Sequence, residues 1–98
     1  MKEIPEIPLV MQAATPEAER AIGFEWADSS VGKRFKIGGN PDFVQSDGSQ
    51  ACKSCGGEMT FYAQIDSVGD EVCLADVGMV YVFVCFGCFA SESFVQSR

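Results

Sequence analysis

The chain's clearest hydrophobic pattern lies in its second half. Between Met59 and Asp66, Met59, Phe61, Ala63 and Ile65 alternate with Thr60, Tyr62, Gln64 and Asp66, the period of a strand with one buried face. Further on, Met79-Val80-Tyr81-Val82-Phe83-Val84 is apolar throughout and rich in β-branched and aromatic residues, which predicts a strand covered on both faces. Run antiparallel, these strands form a hairpin with Ser67-Val68-Gly69-Asp70 at its far end. Phe94-Val95-Gln96 predicts an edge strand beyond it.

The first half is less regular. Residues 1–14 predict an extended arm, because Pro5 and Pro8 break any helix and Ile4, Ile7 and Leu9 offer apolar contacts along the body. Thr15 as N-cap, Pro16 at the first helical position and Glu17 and Glu19 in the first turn predict a helix of about two turns, stopped at Gly23. Phe24 and Trp26 read as core aromatics. Arg34-Phe35-Lys36-Ile37 predicts a short strand with Phe35 and Ile37 inward, and Gly38-Gly39-Asn40-Pro41-Asp42 a sharp bend. Phe43-Val44-Gln45 predicts another short strand and Ser46–Gln50 an exposed loop. The fold class expected is mostly β, a small α+β domain over residues 1–98: an antiparallel sheet with a four-cysteine hairpin and one short N-terminal helix.

Cysteine spacing adds chemistry to this outline. Cys52-Lys53-Ser54-Cys55 precedes the first predicted strand and Cys85-Phe86-Gly87-Cys88 follows the second, so the hairpin brings both pairs to one end. Two residues between cysteines let both sulfurs of a tight turn face one ion, and Gly56-Gly57 relieves the first turn sterically. Cys52, Cys55, Cys85 and Cys88 are therefore the expected ligands of one structural Zn²⁺ per chain, in a zinc-ribbon-like unit over residues 52–88. Four thiolates also suit iron. Two disulfides, or a redox Cys-x-x-Cys, are the competing readings, but a thioredoxin-like motif opens a helix and both pairs here abut strands. Cys73 is expected to be an inert packed thiol.

Ninety-eight residues, 47% of them hydrophobic, make one modest core that a metal staple would strengthen. No apolar run reaches the length of a membrane helix. Prolines and acids occupy the amino terminus where a secretory signal needs an apolar stretch, so a cytoplasmic location with reduced thiols is expected.

Charge separates the partner classes. The formal net charge is −7, and four thiolates with one divalent ion would take it to −9, two more negative. A nucleic-acid surface must displace counterions from phosphates, and the only basic cluster is Lys33, Arg34 and Lys36. That cluster reads as the solvated edge of a strand in preference to a phosphate grip. No histidine occurs, which removes the usual nucleophile–base pairs, and four protein ligands leave the metal no open position. Asp42, Asp47, Asp66, Asp70 and Asp76 read as turn residues, and no enzyme activity is expected.

Gly38-Gly39-Asn40-Pro41-Asp42-Phe43-Val44-Gln45, Cys52 through Asp66, Gly78 through Cys85 and the terminal Gln96-Ser97, taken as an ordered set, resemble the YwqG-like family of uncharacterised bacterial proteins. The glycine-proline, aromatic, glutamine and cysteine-pair order is also similar to part of the programmed cell death protein 2 family. The resemblance runs from Ile37 to the end of the chain. It implies a mostly β domain and, for some bacterial relatives, a place beside toxin systems as immunity proteins. The function expected is a zinc-binding protein acting through a protein partner, with an immunity-type inhibitor as its specific form. The alternative is a zinc-ribbon module binding nucleic acid or the ribosome through Lys33, Arg34 and Lys36. A homodimer covering the exposed face of the Met79–Val84 strand is a third arrangement.

Overall fold

In the computed structural model, residues 2–27, 30–42 and 51–97 are described. Five strands, β1 (Ile7–Pro8), β2 (Lys36–Ile37), β3 (Thr60–Asp66), β4 (Met79–Val84) and β5 (Ser91–Gln96), form one antiparallel sheet in chain order. Helix α1 (Pro16–Ala21) lies between β1 and β2 and packs on none of the strands. The mostly β architecture with one short helix is thus as the residue pattern predicts. Thr15 caps α1 by accepting the Ala18 N–H at 3.1 Å, and Gly23, at φ +107°, follows its end.

The amino-terminal arm is a strand of the sheet: Ile7 pairs with Ile37 and Pro8 with Lys36. It lies on the Gly38–Gly39 bend, where the Gly39 N–H donates to the Ile4 carbonyl at 2.8 Å. Both glycines have φ near +70°, and a Cβ on Gly38 would sit 2.3 Å from the Pro5 carbonyl oxygen, so only glycine permits the approach.

β3 departs from its predicted alternation. Its register against β4 runs from Thr60 opposite Val84 to Asp66 opposite Met79, with one extra residue between Phe61 and Ala63. Such a bulge sends every later side chain to the other face. Phe61 keeps the core side, while Gln64 and Asp66 turn inward and Ile65 turns outward, 47% exposed. Met59 is buried as expected. Two cross-strand groups result. Phe61–Phe83–Glu92, Gln64–Tyr81–Phe94 and Asp66–Met79–Gln96 share the core face, and Thr60–Val84–Ser91, Ala63–Val82–Ser93 and Ile65–Val80–Val95 share the opposite one. Met79, Tyr81 and Phe83 are buried, but Val80, Val82 and Val84 are half-buried, so β4 is fully covered on one face only.

Polar groups turned into the core must be satisfied there. The Gln64 side chain accepts the Asp42 N–H at 3.0 Å and donates to the Arg34 carbonyl at 2.7 Å and the Asp42 carboxylate at 2.9 Å. Asp66 accepts the N–H groups of Gly32 (2.7 Å), Arg34 (3.1 Å) and Ser67 (2.7 Å), and both its oxygens take the Arg34 guanidinium, at 2.8 and 2.6 Å. Arg34 also donates to the Val77 carbonyl at 3.1 Å, and its pKa is raised, first by the hydrogen bond to Asp66. These bonds tie the 31–34 segment and the β3–β4 connection to the end of the sheet. Among the described residues no buried side-chain nitrogen or oxygen lacks a partner.

Other expectations are revised. Trp26 is 61% exposed and meets Phe24 edge-on at 5.8 Å, so it packs locally rather than in the core. In β2 the buried residue is Lys36, with Phe35 and Ile37 half-buried, because Lys36 pairs with Gln64 on the core face. The predicted strand Phe43–Gln45, the loop Ser46–Gln50 and Asp47 lie outside the described residues.

Candidate metal centre

The centre grows from two copies of one turn. In the first, the Cys52 carbonyl accepts the Gly56 N–H at 2.8 Å and the Cys52 N–H donates to the Gly57 carbonyl at 2.7 Å. In the second, the Cys85 carbonyl accepts the Phe89 N–H at 2.6 Å and the Cys85 N–H donates to the Ala90 carbonyl at 2.8 Å. Each turn aims N–H groups at its own sulfurs: Ser54 and Cys55 at Cys52, Gly57 at Cys55, Gly87 and Cys88 at Cys85, and Ala90 at Cys88. Amide dipoles pointed at sulfur favour the thiolate, the form that binds metal.

The hairpin does the rest. One turn enters β3 and the other leaves β4, so the β3–β4 pairing carries them to the same end of the sheet. The sulfurs of Cys52, Cys55, Cys85 and Cys88 all lie within 4.8 Å of one another. The cross-turn pairs Cys52–Cys88 and Cys55–Cys85 are each 3.5 Å apart. Sulfurs about 2.3 Å from a central ion at the corners of a regular tetrahedron are about 3.8 Å apart, so this cluster can hold a metal ion. Cys52 and Cys85 are buried in the core cluster with Met59, Phe61 and Phe83, whereas Cys55 and Cys88 face solvent.

The thiols do not share one acidity. The N–H groups of Cys88 and Gly87, helped by Cys55, pull Cys85 from the ordinary 9.0 down to about 6. Cys52 is also lowered, chiefly by the N–H groups of Cys55 and Ser54. At Cys88 the Ala90 N–H favours the thiolate, but the sulfur of Cys52, burial and the other two sulfurs outweigh it and push the thiol up to about 11. Cys55 is raised too: the Gly57 N–H is outweighed by the sulfurs of Cys85 and Cys52. Metal must displace the protons that remain, so affinity rises with pH. At pH 7 Cys85 is already mostly ionised while Cys55 and Cys88 are protonated, and zinc titrated into the reduced chain is expected to release about two to three protons per ion. Calorimetry in buffers of different ionisation enthalpy measures this number. A release of four would show that the N–H groups leave Cys85 at its ordinary value.

Cys73 stands apart from the cluster. Its Sγ lies 3.4 Å from both the Ala75 carbonyl and the Val77 N–H, in the β3–β4 connection. The basic cluster is not the solvated strand edge expected. Arg34 is engaged by Asp66, and Lys36, only 7% exposed, lies 3.0 Å from Glu6 and 3.4 Å from Asp42, leaving Lys33 exposed. Asp66 is correspondingly a strand residue and the most heavily bonded carboxylate described, not a turn residue.

Phe89 is the feature of the site that spacing alone did not single out. It takes the place in the second turn that Gly56 takes in the first, at φ +63° against +79°, and its ring is 73% exposed beside Phe86. A non-glycine residue in this region is uncommon and strained. The signal was available: superposing the two Cys-x-x-Cys runs sets Phe89 against Gly56.

No family model matches the chain, and neither the curated proteins nor the solved structures include a match to it. Among the described residues no helix is long and apolar enough to cross a membrane.

Proposed function

We propose that this chain is a non-catalytic zinc protein that acts by binding another protein, in the cytoplasm, with the ion holding the β3–β4 hairpin rigid. The observation that carries the reading is closure of the site: four sulfurs from the chain itself surround one position, and each turn spends its amides on those sulfurs. Such a site has no coordination position left for water or substrate, the mark of a structural ion rather than a catalytic one. Zinc is favoured over iron because it needs no redox partner and suits four thiolates in tetrahedral array.

A net charge of −7 favours a basic partner, and an immunity-type inhibitor that masks a basic toxin is the specific form to which the YwqG-like resemblance lends support. The nucleic-acid alternative loses its footing, since two of its three cations, Arg34 and Lys36, are held in ion pairs. Native mass spectrometry of the reduced chain with metal analysis tests the reading. One zinc per chain, lost on denaturation, is expected. Iron in its place, or metal-free chains that are two hydrogens lighter per cysteine pair before reduction, would overturn it in favour of redox chemistry.

A further inference from the structure

The two cysteine turns share one backbone but differ in the residue that leaves them. Gly56 takes the left-handed position in the first turn without strain, so the turn asks for nothing more than glycine there. The second turn puts Phe89 in that position, at φ +63°, and strain of this kind collects where a structure meets a ligand. The ring does not serve the core: it is 73% exposed and follows Cys88, which faces solvent. It meets Phe86 edge-on, with centroids 6.1 Å apart and planes at 75°, an arrangement in which one ring covers a single face of the other and leaves the remaining faces open. The ammonium of Lys2 already stands over the Phe86 ring, 5.3 Å from its centroid.

We propose that Phe89, with Phe86 beside it, is the contact point for a basic protein partner and takes an arginine side chain of that partner stacked on its ring. The proposal rests on the reading of the chain as a zinc protein that binds another protein, and adds to it the residues and the chemistry of the contact. The surroundings choose a cation as occupant. Aromatic faces are negative and attract cations, and Lys2 shows that a ring of this pair is placed to receive one. Four thiolates around a divalent ion leave two net negative charges next to Phe89, and the exposed Glu58 at the first turn adds another. Lys53, the cation of the first turn, is 3.3 Å from Glu92. The whole chain carries −7, a field that draws in a basic surface. Arginine suits the ring better than lysine, because a planar guanidinium lies flat on an aromatic face and is more weakly hydrated. The same charges repel phosphates, which sets a stacked nucleobase in second place.

The turn presents the ring ready-made. The Cys85 carbonyl accepts the Phe89 N–H at 2.6 Å and the Cys85 N–H donates to the Ala90 carbonyl at 2.8 Å, so the backbone on both sides of the ring is tied to a metal ligand. Only the torsions of the phenylalanine side chain are left to be ordered on binding, which keeps the entropic cost low.

The test is a nuclear magnetic resonance titration of the zinc-loaded chain with a short peptide of alternating arginine and glycine, with metal stoichiometry measured on the same samples. Saturable binding that moves the ring resonances of Phe89 and Phe86 is expected. Phe89→Leu keeps the net charge, the four cysteines and an apolar side chain but has no ring, and should weaken binding about fivefold, while Phe89→Tyr should bind within about twofold of the wild type. Phe89→Gly should lose as much as Phe89→Leu and retain zinc, since Gly56 fills the same position in the first turn. Loss of zinc from Phe89→Gly would make the residue a prop of the turn rather than a contact and would overturn the proposal. Absence of saturable binding, equal affinity of wild type and Phe89→Leu, or tighter binding of single-stranded oligothymidine than of the peptide would each overturn it too, the last in favour of base stacking. Failure of the wild-type chain to hold zinc would instead count against the metal reading, so the two fail separately.

Discussion

Replacing Cys55 or Cys85 by serine is expected to abolish stoichiometric metal binding and to unfold the hairpin end of the protein, the largest effect open to a single substitution here. A structural ion bound by thiolates contributes its binding free energy directly to folding, and in small zinc peptides that apparent value is about 10–16 kcal/mol. Whole domains are stable by only about 5–15 kcal/mol. Losing one of four ligands therefore threatens the entire margin. The two variants should differ in degree. Cys85 is buried within the core cluster, so serine there also buries a hydroxyl among aromatic side chains, whereas Cys55 faces solvent and its loss is mainly that of a ligand. Cys73→Ser is the control and should retain metal, because Cys73 lies outside the cluster. Metal analysis and thermal unfolding of the three variants decide the matter. Equal metal loss in all three would refute the assignment of ligands.

Asp66→Asn is expected to cost about 3–5 kcal/mol, the range for breaking a buried ion pair by removing one partner. The carboxylate faces donors only: three backbone N–H groups and the Arg34 guanidinium. An amide brings its own N–H₂ against some of them and leaves the guanidinium, whose side chain is largely buried, without a counter-charge. Denaturant unfolding of the metal-loaded variant measures the loss, with Asp70→Asn as a control. Asp70 is exposed and accepts a single N–H, from Glu25 at 3.1 Å, so its replacement should cost under about 1 kcal/mol. Arg34→Met combined with Asp66→Leu should recover part of the loss, since a buried pair is often replaceable by apolar side chains of similar size. A cost for Asp66→Asn no greater than for Asp70→Asn would remove Asp66 from its place as the anchor of the 31–34 segment.

Different kinds of information account for what was legible in the residues. The cysteine turns, the β3–β4 hairpin, the capped helix and the glycine bend are local: each depends on residue types a few positions apart, and their propensities act before any tertiary contact forms. The hidden features are non-local. A period of two cannot disclose one extra residue, so the bulge at Tyr62 was invisible while every later side chain of β3 depended on it. Gln64 and Asp66 looked like outward polar positions because their partners, Arg34 and Asp42, stand more than twenty residues earlier in the chain. For the same reason Lys33, Arg34 and Lys36 read as one basic patch, although the fold spends two of the three on carboxylates.

By itself, then, the sequence determined which residues make strands, where the hairpin folds back and that its two cysteine turns meet, because spacing and alternation are properties of neighbouring positions. Only the tertiary structure decided which face of the sheet is the core. That choice rests on a bulge and on hydrogen bonds between distant segments, and it buries Lys36 and Asp66 while leaving Ile65 and Val95 about half exposed.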